Sequence, residues 1–178
     1  MITEIGIVSG KILELLDKRN GVLVFGEIHS GLNEPRDLVL MSLGGLLHSG
    51  YVGVMEDPLR AIYQKYHNKK AGTSEAGMFD LVIRNNADGR PGNRVKNVSD
   101  HIGAVAEKIL LLVEGCGGLV GLQTIERNIN EHRDIVLMGL GWLIREGYAR
   151  GITGAQEIFV FRLPKKMAGS KRASFSHA

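Results

Sequence analysis

The chain has 178 residues, 44% of them hydrophobic and 23% charged, with 24 glycines and few aromatic side chains. That composition is ordinary for a globular protein of one or two domains. No apolar run approaches the roughly 18 residues that a membrane span needs. The start, MITEIGIVSGKILELLDK, lacks the basic-then-apolar order of a signal peptide. A single cysteine, Cys116, excludes an internal disulfide and fits a reducing cytoplasm. The net charge of +3 is unevenly placed: −2 over residues 1–66, +2 over 67–100, −1 over 101–163 and +4 over 164–178.

In chain order, residues 5–16 set Ile5, Val8, Ile12, Leu15 and Leu16 at helical spacing, and Gly21 follows as a stop. Residues 22–25 form an apolar run too short for a helix, hence a small strand. Residues 26–31 predict a short second helix. Asn33 is the expected N-cap of a third helix, RDLVLMSLGGLL onward, with Pro35 in its first turn and Gly50 as its end. Runs at 51–55 and 61–66 flank Glu56-Asp57-Pro58 and predict a hairpin.

The same text then returns. An ungapped offset of 97 residues lays 5–54 on 102–151 with 21 identities, including Ile5/Ile102, Lys11/Lys108, Gly21/Gly118 and Asn33/Asn130. This is a duplicated unit. The second copy predicts a helix with Ile102, Val105, Ile109 and Leu112 inward, a strand at 119–122, a helix at 123–128, a third helix capped by Asn130 and ended by Gly147, and a hairpin of 148–152 with 158–163.

Helix, short strand, helix, helix, hairpin is the order of a winged helix-turn-helix domain. The expected fold class is α+β: two tandem domains of this kind, each three helices plus a β-hairpin wing, at 1–66 and 101–163. Residues 67–100 are expected as a basic linker, in which 78–83 can add one strand, and 164–178 as a basic flexible tail. The pattern IGxxxxKI, a short strand, then RDxVLMxLGxLxxxGY resembles a small prokaryotic winged-helix family of unassigned function. The resemblance covers both units and implies their fold. It brings no catalytic residues. Two departures from it are the duplication and the Gly45 position, which holds Trp142 in the second copy.

Sorted by face, Val39, Leu40, Leu43, Leu46 and Leu47 span an arc of roughly 120°, the stripe of a helix on a core. The other side carries Asp37, Leu38, Met41, Ser42, Gly45 and His48. Its second-copy counterpart carries Asp134, Ile135, Met138, Gly139, Trp142 and Arg145. A winged helix that reads DNA places Arg, Lys, Asn, Gln or Ser there, facing base edges. This face has an aspartate that repels phosphate, and apolar side chains suited to protein contact. Leu38, Met41, Gly45, Ile135, Met138 and Trp142 are therefore candidate interface residues, between the units or across a homodimer. The competing reading is that the Leu38/Ile135 and Met41/Met138 pairs are ordinary core.

The cations suited to nucleic acid are Arg36, His48, Arg133 and Arg145 on the third helices, and Arg60 and Arg150 in the wings. Lys69, Lys70, Arg90, Arg94 and Lys96 add to them in the linker, and Lys165, Lys166, Lys171 and Arg172 in the tail. Such groups hold phosphates without reading sequence. The histidines have no metal-ligand spacing, and no phosphate loop, dinucleotide motif or nucleophile-base set is present. Acids at 34/37 and 131/134 suit the start of a helix. No cofactor and no small-molecule substrate are expected, and the chain reads as a non-enzyme. The expected partner is nucleic acid, DNA in preference to RNA; the alternative is a protein-interaction or dimerisation module working through the apolar third-helix face.

Overall fold

A computed structural model describes residues 1–55, 82–85, 96–154 and 158–163. Within them the architecture is α+β, with six helices and two small antiparallel sheets. Helix α1 (Ile2–Lys18) leads into β1 (Val22–Val24), α2 (Phe25–Leu32), α3 (Arg36–His48) and β2 (Val52–Met55). Strand β3 (Val82–Asn85) completes the first half. The second half repeats the path with α4 (Lys96–Gly115), β4 (Leu119–Gly121), α5 (Leu122–Asn128), α6 (Arg133–Arg145), β5 (Ala149–Thr153) and β6 (Ile158–Arg162).

The helix ends follow local chemistry. After α3, Gly50 takes φ +74° and donates to the Leu47 carbonyl, while Tyr51 donates to that of Leu46. After α6, Gly147 at φ +74° donates to Ile144 and Tyr148 to Leu143. These paired bonds satisfy last-turn carbonyls, and the left-handed residue between them is glycine because it has no Cβ to clash. The starts differ from expectation. Pro35 and His132 are the N-caps, and the His132 Nδ1 accepts from the Asp134 amide at 3.3 Å. Asn33 instead closes α2, in a left-handed conformation at φ 51° that its short polar side chain tolerates.

In each sheet the late strand is central, in the orders β1-β3-β2 and β4-β6-β5. Ile83 pairs with both Leu23 and Val54, and all three are buried; Val160 pairs with Val120 and Gly151 in the same way. The central strand of the first sheet thus comes from 82–85, inside the stretch expected to be a linker and overlapping the one strand expected there at 78–83, of which 78–81 lie outside the described residues. The partner run expected at 61–66 lies outside the described residues. Helix α4 also begins within that stretch, at Lys96, ahead of the anticipated 101 boundary.

One core runs through both halves. Ile5, Val8, Ile12 and Leu16 of α1 and Ile102, Val105, Ile109 and Val113 of α4 are all buried, each row on one helix face. Along α3 every residue from Val39 to Leu47 is buried, so this helix is packed on all sides rather than on one stripe. Helix α1 covers one side: the Ser42 hydroxyl donates to the Leu38 carbonyl at 2.8 Å, with the Ile5 carbonyl at 3.2 Å. Helix α6 covers another.

Candidate functional site

The distinctive feature of the molecule is the crossing of α3 and α6. At its centre the two backbones touch. A Cβ built on Gly44 would overlap the Met138 carbonyl, and one on Gly141 would overlap the Met41 carbonyl. Gly44 and Gly141 are equivalent under the repeat, as are Met41 and Met138, so the contact is reciprocal. Glycine permits it because only a residue without a side chain lets two helices meet backbone to backbone.

The helix starts carry reciprocal ion pairs. Arg36 Nη1 and Nη2 donate to Asp134 Oδ1 and Oδ2 at 2.5 and 2.6 Å. Arg133 Nη1 and Nη2 donate to Asp37 Oδ1 and Oδ2, both at 2.6 Å. Each is a two-pronged guanidinium–carboxylate pair, the strongest geometry available to these groups. Residue i meets residue j of the other half, and j meets i, the signature of a two-fold interface. Here it is formed within one chain.

The two pairs are not alike. Asp134 is 2% exposed, whereas Asp37 is 33% exposed. Arg36 also lies over the Phe25 ring, 5.5 Å from its centroid, and Arg133 Nε sits 2.9 Å from Glu126 Oε1. The bond to Asp134 raises the pKa of Arg36 against partial burial, and the bond to Asp37 does the same for Arg133, so both guanidiniums are held charged.

At the far end the symmetry breaks. Trp142 stacks on His48 with ring centroids 4.2 Å apart, and its ring also covers Gly103, where a Cβ would overlap it. At the equivalent place Gly45 leaves room for Arg145, whose Cδ would lie 2.8 Å from a Cβ on Gly45. Arg145 Nε donates to Ser49 Oγ at 2.8 Å and its guanidinium lies 5.8 Å from the Tyr51 ring centroid. His48 Nε2 is 3.3 Å from Glu146 Oε1. The halves therefore interlock by size: a large ring meets an imidazole on one side, and a glycine meets an arginine stem on the other.

The residues singled out from sequence divide accordingly. Met41, Met138 and Gly45 are buried at or beside the crossing; Leu38, Ile135 and Trp142 are partly buried against the core. Arg36, Arg133, Arg145 and His48 all face partners from the opposite half. Arg150 is exposed on β5. Lys96 opens α4. Arg60, Lys69, Lys70, Arg90, Arg94, Lys165, Lys166, Lys171 and Arg172 lie outside the described residues. Asp37 and Asp134, expected to serve helix-start electrostatics, pair across the halves instead with Arg133 and Arg36. Gly44, not the expected Gly45, is the glycine of closest approach between the backbones. The available signal was that Gly44/Gly141 is glycine in both copies, while the next position is not.

Among the described residues, no group of three or more His, Cys, Asp or Glu side chains is placed to hold a metal ion, and no helix is long and apolar enough to cross a membrane. Cys116 is free and exposed. Compared with family models, curated proteins and solved structures, the chain matches none.

Proposed function

We propose that this chain is a non-enzymatic, cytoplasmic tandem winged-helix protein that associates with nucleic acid through phosphate contacts, its third helices being committed to pairing its own two halves. The observation that confines this reading to phosphate contact is the α3–α6 crossing. The helix that a winged-helix DNA reader lays in the major groove is here buried against its own repeat. Arg36 and Arg133, the helix-start cations best suited to DNA, are held by Asp134 and Asp37. Base reading through these helices would require the crossing to open. What supports association with nucleic acid is the charge elsewhere. Residues 164–178 hold four Lys/Arg and no Asp/Glu, residues 67–100 are net positive, and Arg150 is an exposed cation on β5. Phosphate contact of this kind orients a protein without specifying sequence. The expected preference for DNA follows from the commonest use of the fold, and phosphate contacts of this kind suit duplex DNA and RNA alike.

The test is fluorescence anisotropy with random duplex DNA and a structured RNA over a salt series, with and without residues 164–178. The expected result is binding that falls steeply with salt, ignores sequence and weakens when the tail is removed. Absence of binding to both polymers at low salt overturns the reading. The alternative, a module that docks a protein partner or second copy on the apolar third-helix face, also needs the crossing to open. A concentration-dependent rise in sedimentation mass, abolished by Trp142→Ala, would favour it.

A further inference from the structure

Among the described residues, the outer face of the second sheet departs from the pattern of buried apolar side chains. Alternation along β6 points Ile158 and Val160 inward and Phe159 and Phe161 outward. The register then fixes their neighbours. Phe161 lies between Leu119 of β4 and Arg150 of β5, and Phe159 lies between Gly121 and Ile152. Leu119 is 46% exposed, Ile152 48% and Phe159 37%, while Phe161 is half-buried. Two phenylalanines thus sit two residues apart on the central strand of an open sheet face, about 7 Å apart by strand geometry, flanked by aliphatic side chains and one arginine. A contiguous exposed apolar surface of this kind marks a binding site more often than chance.

The first sheet shows that the fold does not require it. At the positions of Phe161 and Phe159, strand β3 places Arg84 and Val82, beside Val22 and Val24. Among the described residues, the central strand carries phenylalanines in the second half and not in the first; that second strand runs directly into the basic 164–178 segment.

We infer that the outer face of the β4-β6-β5 sheet is a stacking surface for the bases of single-stranded nucleic acid, with Phe159 and Phe161 as the platform and Arg150 as a phosphate or base-face contact. This inference rests on the nucleic-acid reading above and adds the form of the ligand. The charge argument selects the occupant. A purely apolar protein partner has no use for Arg150 amid the aromatic face, nor for four cations and no acid in the adjoining segment. A single strand offers both flat apolar rings and phosphates. A duplex hides the ring faces, so only an unpaired strand can use the phenylalanines.

The experiment compares labelled oligothymidine and oligouridine of about 12 nucleotides, within the usual site size for such surfaces, with a duplex of equal length. The full chain is tested beside the Phe159→Leu/Phe161→Leu double variant, which keeps apolar bulk and removes the rings. Both proteins are first checked for equal helical circular dichroism and urea midpoint. A Phe159→Tyr/Phe161→Tyr variant keeps rings. The expected result is single-strand binding weakened about tenfold or more in the leucine variant, retained in the tyrosine variant, with duplex binding unchanged. Single-strand binding that survives leucine substitution overturns the inference while leaving phosphate association intact. Binding of duplex but not of single strands does the same. A change in sedimentation mass without a change in binding makes the face a self-association surface and also overturns it. Failure of the unaltered chain to bind any of these polymers removes the underlying reading as well.

Discussion

The two halves of this chain follow one path, yet they differ where they meet and where they face outward. In the first half α3 offers Gly45, the ion pair at Asp37 is a third exposed, and the outer sheet face carries no aromatic residue on its central strand. In the second half Trp142 occupies the Gly45 position, Asp134 is buried, and Phe159 and Phe161 stand on the open sheet. A duplicated unit that only needed to pair with itself would keep both copies alike. Divergence at matched positions makes the two halves distinguishable, with the Gly44/Gly141 crossing shared and its Trp142 end asymmetric.

The strongest way to break the comparison is at its shared point. Gly44→Ala or Gly141→Ala places a methyl group on the other helix's carbonyl, which cannot move aside as a side-chain tip would. Either should cost about 3 kcal/mol or more, the upper end of overpacking, read as a fall in urea midpoint. Equal losses from the two variants would show that the crossing is symmetric at its centre. A loss below about 1 kcal/mol in either would mean that the helices do not meet there. Next come the ion pairs. Asp134→Asn leaves Arg36 half-buried beside a neutral amide, and should cost about 2–3 kcal/mol, near the range for a broken buried pair. Asp37→Asn, at the exposed equivalent, should cost about 1 kcal/mol or less. Similar values at both sites would mean that burial does not separate the two pairs.

Much of this organisation was legible. The 97-residue offset, the helix periods, and the Gly50 and Gly147 stops are local signals, and local geometry obeys them. That the outer third-helix face suits apolar contact better than a DNA groove was legible too, from Leu38, Met41 and their counterparts, but whether that face is exposed or packed was not. What stayed hidden depends on contacts between distant segments. Arg36 and Asp134 are adjacent only once the halves pair. Nothing in either helix distinguishes Asp37 at a helix start from Asp37 as a partner of Arg133. The central strand of the first sheet, Val82–Asn85, overlaps the strand expected at 78–83, but its place between β1 and β2 was not legible, for a similar reason. A three- or four-residue strand is defined by what it pairs with, and Ile83 earns its place between Leu23 and Val54 only in three dimensions.

Trp142 tests the asymmetric end. Trp142→Ala removes the stack on His48 and uncovers Gly103. Because the ring is only partly buried, the loss should fall below that of a fully buried tryptophan, at about 2 kcal/mol. Gly45→Trp, the reverse attempt at symmetry, should not recover it, since the Arg145 stem already fills that space. A double variant Trp142→Ala/Gly45→Trp more stable than Trp142→Ala alone would show that the two sites are interchangeable, contrary to the interlock by size.

The smallest expected effect lies at a surface network that also differs between the halves. Glu34 takes Lys11 at 2.6 Å. Its counterpart Glu131 takes Lys108 at 2.9 Å and has His101 Nε2 at 3.0 Å. The hydrogen bond from Lys108 holds the Glu131 carboxyl below its ordinary pKa, with His101 helping and partial burial opposing. A folded pKa below the unfolded value means that the ionised carboxylate contributes stability above about pH 4, and that this contribution is lost as the pH falls through the lower folded value. Glu131→Gln should therefore lower the urea midpoint slightly at neutral pH, by less than about 1 kcal/mol because Lys108 is exposed, and should flatten the acid limb of the stability profile. The gap between variant and parent should close as the pH drops below the usual carboxylate range. A gap that stays constant to low pH would assign the effect to packing rather than to charge.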